Sequence, residues 1–329
     1  MTPAAELDRV TRLFRARGRR RRERGTLTAV DDLSLTIDTG EIVALLGPNG
    51  AGKTTTIKML STLLLPSSGA VRLFGVDAVE QPHRARMRLG LILGGERGLY
   101  DRLSGRDNLR YVATLYGLAP RAAGRRIEDV LEQVGLRGQE HERVERYSRG
   151  MRQRLHIARG LLHDPTLLLL DEPTIGIDPV GARALRAIVT RLRDDGKAVL
   201  LTTHYMHEAE QLSDRIVVLN GGRIVAHGTA PELARRHLNG SIVEGVGVGL
   251  GDAELERLRA LAPVRSVEVT TEGAVQRLQV HVASPSADGA VVGETLANLG
   301  VTSVSSRQPT LEDTYISIIR HTEQSAHAR

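Results

Sequence analysis

Gly47-Pro48-Asn49-Gly50-Ala51-Gly52-Lys53-Thr54 follows the apolar run Ile42 to Leu46 and opens a stretch of helical character, Lys53 to Leu64. Glycines let such a loop wrap, so that successive backbone N–H groups and the next helix N-terminus aim at phosphate oxygens. Lys53 is then placed to reach β- and γ-phosphate oxygens, Thr54 to offer a hydroxyl to Mg²⁺, and Thr55 to complete the phosphate-facing set. Only three of the 45 basic residues are lysines, so Lys53 stands where a compact ammonium suits better than a guanidinium.

Further along, the run Leu167 to Leu170 ends in Asp171-Glu172. At the carboxyl end of a buried strand, one carboxylate can hold a hydrated Mg²⁺ and its neighbour can polarise an attacking water. The same dipeptide alone is equally a strand end capping the next helix; behind the glycine loop it reads as a metal and water site. Ahead of it lies Tyr147-Ser148-Arg149-Gly150-Met151, whose serine is placed to cap a helix.

These groups need rigid elements to hold them. Ile42 to Leu46, Leu167 to Leu170 and Ala198 to Thr202 are continuous apolar runs, the pattern of parallel strands buried on both faces. Val30 to Ile37 alternates, and Ile216 to Leu219 with Arg223 to Ala226 flanks the hairpin signal Asn220-Gly221-Gly222. Between Leu109 and Leu155 the apolar residues fall at helical spacing: Leu109, Val112, Ala113 and Tyr116, then Ile127, Val130, Leu131 and Val134. After Leu238 the pattern becomes strand (Ile242 to Val248), helix (Asp252 to Leu261), two strands (Val264 to Val269, Ala274 to Val282), helix (Ala290 to Leu299), strand (Val301 to Ser305) and helix (Leu311 to Arg320), a split βαβ arrangement. The expected fold class is α/β: a P-loop NTPase core with an inserted helical subdomain at about residues 97–160 and a small α+β C-terminal domain, divided as 1–235 and 236–329.

With 41% hydrophobic and 26% charged residues the composition is that of an ordinary globular protein. The chain has no cysteine, which excludes disulfides and thiolate metal sites. No apolar run reaches the roughly 18–20 residues that span a bilayer, and the N-terminus lacks a secretory pattern, so the expectation is a cytoplasmic protein for which any membrane attachment is peripheral. Residues 15–25 hold seven arginines and one glutamate, which account for the formal charge of +6. The charge is thus one loop and not a basic face. With two Phe and no Trp to stack bases, no nucleic-acid partner is expected.

The order of these motifs resembles the ATP-binding subunits of ABC transporters, over about residues 7–235. The resemblance implies ATP and Mg²⁺ as cofactors and a homodimer closing head to tail. Ser148, Arg149 and Gly150 would then face ATP held by the opposite copy, Asp178 would lie in the loop coupling the two sites, and His204 would contact the γ-phosphate beside the base Glu172. Phe14 is the candidate for stacking adenine. Two departures stand out: the signature reads Tyr-Ser-Arg-Gly-Met, where the family commonly has Leu-Ser-Gly-Gly-Gln. After Leu91-Ile92-Leu93, the usual glutamine is replaced by Gly94-Gly95-Glu96, so either Glu96 is a third oxygen ligand for Mg²⁺ or the link to the membrane partner is rewired.

These departures, with the late Gln308-Pro309-Thr310-Leu311-Glu312-Asp313, are similar to ATPases of drug, antibiotic and lipid efflux systems, closest to the daunorubicin-resistance type. The resemblance therefore implies an ATP hydrolase, peripheral at the cytoplasmic face of the cell membrane, powering export of a drug, antibiotic or lipid-like substrate through a separate integral-membrane permease. The alternative is an ATPase of the same superfamily acting on ribosomes or DNA, and a third reading is a nucleotide-binding regulator that barely hydrolyses.

Overall fold

A computed structural model describes residues 2–17, 24–93, 98–238, 240–283 and 287–327. The chain divides into two compact units, Met1–Thr229 and Ala230–Arg329.

The first unit opens with two long antiparallel strands, β1 (Ala5–Arg17) and β2 (Arg24–Ile37), followed by β3 (Ile42–Leu46) and α1 (Lys53–Leu60). Next come β4 (Ser68–Leu73), β5 (Val76–Asp77), α2 (Pro82–Arg86) and β6 (Leu89–Ile92). The helical stretch is α3 (Gly105–Leu115), α4 (Pro120–Gln133) and α5 (Arg149–Leu161). The chain then alternates through β7 (Leu167–Asp171), α6 (Pro179–Asp194), β8 (Ala198–Thr202), α7 (Met206–Leu212), β9 (Arg215–Asn220) and β10 (Arg223–Gly228).

Six strands form the central sheet in the order β10-β9-β3-β8-β7-β6, parallel except for the β9–β10 hairpin. Every residue of β3 and β8 is buried, which is why both read as unbroken apolar runs. A second, antiparallel sheet runs β2-β1-β4-β5. Side chains of both sheets, including Leu7, Val30, Leu45 and Leu169, meet in one core around Ile57 and Leu60 of α1.

α1 stops at Leu60, short of the expected Leu64. Thr62 takes a left-handed φ of 59°, its amide bonds back to Met59 O, and the Leu64 amide returns to Lys58 O. Pro66, just beyond, cannot continue a helix. β1 and β4 were not anticipated. Register shifts between Leu7 and Val10 and between Val10 and Arg12 break the two-residue alternation that marks a half-buried strand.

The second unit holds α8 (Ala230–His237), β11 (Ser241–Val248), α9 (Asp252–Arg259), β12 (Val264–Glu272), β13 (Val275–Val282), α10 (Ala287–Asn298), β14 (Thr302–Arg307) and α11 (Leu311–His327). Its fully antiparallel sheet runs β12-β13-β11-β14. Val243, Leu278, Val280 and Val282 pack one face of it against Leu255 and Leu258 of α9 and Val292 and Leu296 of α10. The Gln308–Asp313 segment closes this unit. Asp313 accepts both Arg307 guanidinium N–H groups (2.6 and 3.1 Å) and the Thr310 amide (2.7 Å), while Arg307 Nε donates to Glu244 at 2.8 Å. α11 is thereby anchored on the sheet. α8 belongs to this unit and packs against α11, where Ser317 Oγ donates to His237 O at 3.2 Å.

Candidate functional site

The glycine loop sits where β3 hands over to α1. Gly52 caps α1 with φ 104° and no side-chain cap; a Cβ there would lie 2.5 Å from Ala29 O, so only glycine fits both the dihedral and the approach. The first-turn N–H groups of α1 are therefore left to a ligand, and the helix dipole favours an anionic one. Lys53 is buried, and its Nζ donates to Gly47 O at 2.7 Å and Pro48 O at 3.2 Å. Burial pushes its pKa down, while the Glu172 and Asp171 carboxylates pull it back up. The Ala51 amide closes a turn on Pro48 O, leaving Asn49 and Gly50 at the exposed crest. Thr55 is half-buried one step along the helix.

Opposite the loop, the end of β7 presents Asp171. Thr54 Oγ1 donates to its Oδ2 at 3.1 Å. A threonine hydroxyl converging with a carboxylate is a hard-oxygen pair, the donor set that suits Mg²⁺, and the loop's free amides with Lys53 suit a triphosphate. Glu172 follows with φ 49°, a conformation that costs a non-glycine residue of order 1–3 kcal/mol. It is held there by Thr202, whose main-chain and side-chain oxygens both accept the Glu172 amide at 3.0 Å. His204, two residues past the end of β8, brings Nδ1 to 3.4 Å from Glu172 Oε2. Tyr205 packs against the imidazole with ring centroids 4.1 Å apart.

Lys53, Thr54, Asp171, Glu172 and His204 thus converge at the carboxyl ends of β3, β7 and β8. A second group sits on two helix N-termini. Ser148 caps α5, its Oγ accepting the Met151 amide at 3.2 Å, and Asp178 caps α6, accepting the Val180 and Gly181 amides at 3.0 and 2.9 Å. Gly150 lies in the first turn of α5 beside Ile177, and Arg149 reaches Gly176 O at 3.5 Å. Ser148, Arg149 and Asp178 are exposed, so this face is open to a partner.

Phe14 lies on β1 opposite Leu27, with the Arg12 guanidinium 4.8 Å from its ring centroid. Glu96, with Gly94 and Gly95, lies outside the described residues. Thr202 escaped the sequence reading. Its one signal was a hydroxyl ending an apolar run that, in parallel register, falls opposite Asp171.

Comparison with known proteins places the chain in a family. Residues 30–175 match the ABC transporter family. The ABC transporter ATP-binding protein NatA of Bacillus subtilis (strain 168) is 42% identical over 205 residues, 62% of this chain and 83% of that protein. The daunorubicin resistance ATP-binding protein DrrA3 of Streptomyces coeruleorubidus is 38% identical over 292 residues, 89% of this chain and 91% of that protein. A solved ATP binding subunit of an ABC transporter is 30% identical, covering 71% of this chain and 92% of its own, with a TM-score of 0.59. A site that gathers phosphate-loop, acidic-pair and histidine groups, in a chain aligned almost end to end with such a relative, places the protein among the ATP-binding proteins of the ABC transporter family, as an ATP hydrolase.

Proposed function

We propose that two copies of this chain close head to tail over two ATP molecules. Closure, hydrolysis and reopening then drive export of a drug, antibiotic or lipid-like substrate through a separate integral-membrane permease at the cytoplasmic face of the cell membrane. The observation that carries the catalytic part is the 3.4 Å approach of His204 to Glu172, beside the Thr54–Asp171 pair. Lys53 and the free amides of the glycine loop and of the first turn of α1 hold the triphosphate, and Phe14 stacks the adenine. Thr54 and Asp171 would hold Mg²⁺, which would supply charge neutralisation for the phosphates. Glu172 accepts a proton from the attacking water, and His204 orients that water and the γ-phosphate. Ser148 and Gly150, at an exposed helix N-terminus, meet the phosphate held by the other copy. Asp178 ties the two sites together.

The export reading is supported by the name of DrrA3, a daunorubicin resistance protein. No helix among the described residues is long and apolar enough to cross a membrane, so in this reading the path for cargo comes from another chain. An open groove of about 640 Å³ suits a cytoplasmic segment of that permease. Met87 beyond α2, Leu115 and Tyr116 at the end of α3 and Leu118 line it with apolar surface, and Met87, Leu115 and Tyr116 are exposed.

Glu172→Gln tests the proposal. The variant should bind ATP, remain closed as a dimer and turn over about 10²-fold more slowly. Trapped with ATP and Mg²⁺ in native membranes, it should retain a multi-span membrane protein in near-equal amount. Turnover at the wild-type rate would remove the base assignment. Ribosomal proteins or DNA with no membrane protein would replace the export reading.

A further inference from the structure

One buried acid close to the site has no part in the mechanism above. Glu208, on α7, is 2% exposed. Its Oε2 accepts a hydrogen bond from Thr174 Oγ1 at 3.0 Å, and its Oε1 is buried with no partner. Burial pushes the carboxyl above the usual carboxylate range, opposed by the hydroxyls of Thr203 and Thr174 and by the charges of Arg186 and His204. Thr174 and Thr203 are themselves buried. An apolar side chain of similar size would fill this space without the cost of burying an ionisable group, so the acid needs a reason.

Its partners supply one. Thr174 stands two residues after Glu172 and begins the turn to Asp178, where the Ile177 amide bonds to Thr174 O at 3.2 Å. Glu208 itself sits in the first turn of α7, where its amide donates to Tyr205 O at 3.0 Å, one residue past His204. The two segments come from different strands, and the Glu172–His204 approach depends on how they are held together. We propose that Glu208 is a positioning residue: a buried acid in the first turn of α7, the helix that follows directly on His204, that ties the Thr174 segment to that helix and so sets Glu172 and His204 at their working separation. The proposal rests on the reading of Glu172 and His204 as the hydrolytic pair.

The test compares full-length Glu208→Ala, Glu208→Gln and Thr174→Val with His204→Ala and the His204→Ala/Glu208→Ala double variant. Binding of a fluorescent ATP analogue checks that each is folded. Glu208→Ala and Thr174→Val should lower kcat about tenfold with little change in KM, as for loss of a group that orients a catalytic side chain. Glu208→Gln, whose amide oxygen accepts the same hydrogen bond, should restore most of the rate. In the His204→Ala background Glu208→Ala should cost nothing further, because residues acting as one unit are not additive. Wild-type kcat in Glu208→Ala with an impaired His204→Ala overturns this proposal alone. So does an equal loss in the Gln and Ala variants, or a loss that multiplies undiminished in the double variant. His204→Ala at wild-type turnover overturns the hydrolytic pair itself, and this proposal with it.

Discussion

Thr202 Oγ1 donates to Asp171 Oδ1 at 2.6 Å while accepting the Glu172 amide at 3.0 Å. One hydroxyl, at the buried end of β8, therefore fixes both members of the acidic pair: it orients the proposed metal ligand and helps hold the proposed base in its left-handed backbone conformation. The register that makes this possible pairs Asp171 with Thr202 across β7 and β8.

Removing that hydroxyl should act on the metal more than on the nucleotide. Thr202→Val keeps the shape of the side chain but leaves Asp171 held by Thr54 alone. The Mg²⁺ concentration giving half-maximal ATPase should rise by about tenfold or more, with metal-free ATP binding unchanged. A Mg²⁺ titration of purified enzyme checks this; an unmoved midpoint would remove Thr202 from the site.

The fold should lose stability in mild acid through His156. This residue of α5 is 1% exposed, and neither ring nitrogen has a hydrogen-bond partner. Burial, then the nearby Arg159 and Arg152 charges, lower its pKa from 6.5 to about 4. A histidine held neutral in the folded state contributes its full stability above the unfolded pKa near 6.5 and loses it as pH falls towards 4, because the unfolded chain takes up the proton first. The shift corresponds to roughly 3 kcal/mol. Thermal unfolding followed from pH 7.5 to 4.5 should show a steeper decline for the wild type than for His156→Leu. Parallel curves would show that His156 is not the group responsible.

The groove can be separated from the hydrolytic site. Leu115 is 69% exposed, so Leu115→Glu should leave the thermal midpoint of the isolated chain within about 2 °C. A carboxylate in an apolar docking surface should nevertheless abolish retention of the membrane protein by the Glu172→Gln trap. Undiminished retention would move the docking surface elsewhere.

The two halves of the candidate site differed in how plainly the sequence announced them. The glycine loop was legible because its requirements are local: Gly52 must take a positive φ beside Ala29 O, and a buried strand and a helix must flank it. β3, β7 and β8 were legible because a strand covered on both faces must be apolar throughout. The β9–β10 hairpin was announced by Asn220-Gly221-Gly222, two of whose residues need a left-handed backbone. β1 and β4 were hidden because register shifts interrupt the alternation of β1, and β4 is short, with only Val71 and Leu73 of its six residues buried.

Residue type and short spacing alone determined that this chain carries a phosphate loop, a buried strand ending in two carboxylates, and a histidine after another such strand, since steric demand and burial act within a few residues. Which groups touch was decided by the tertiary structure. Thr202 meets Asp171 across 31 positions and Glu208 meets Thr174 across 34, only because parallel pairing and the packing of α7 bring those segments into register. Hydrogen bonds act over about 3 Å, so contacts between distant segments exist only once the sheet has chosen its order.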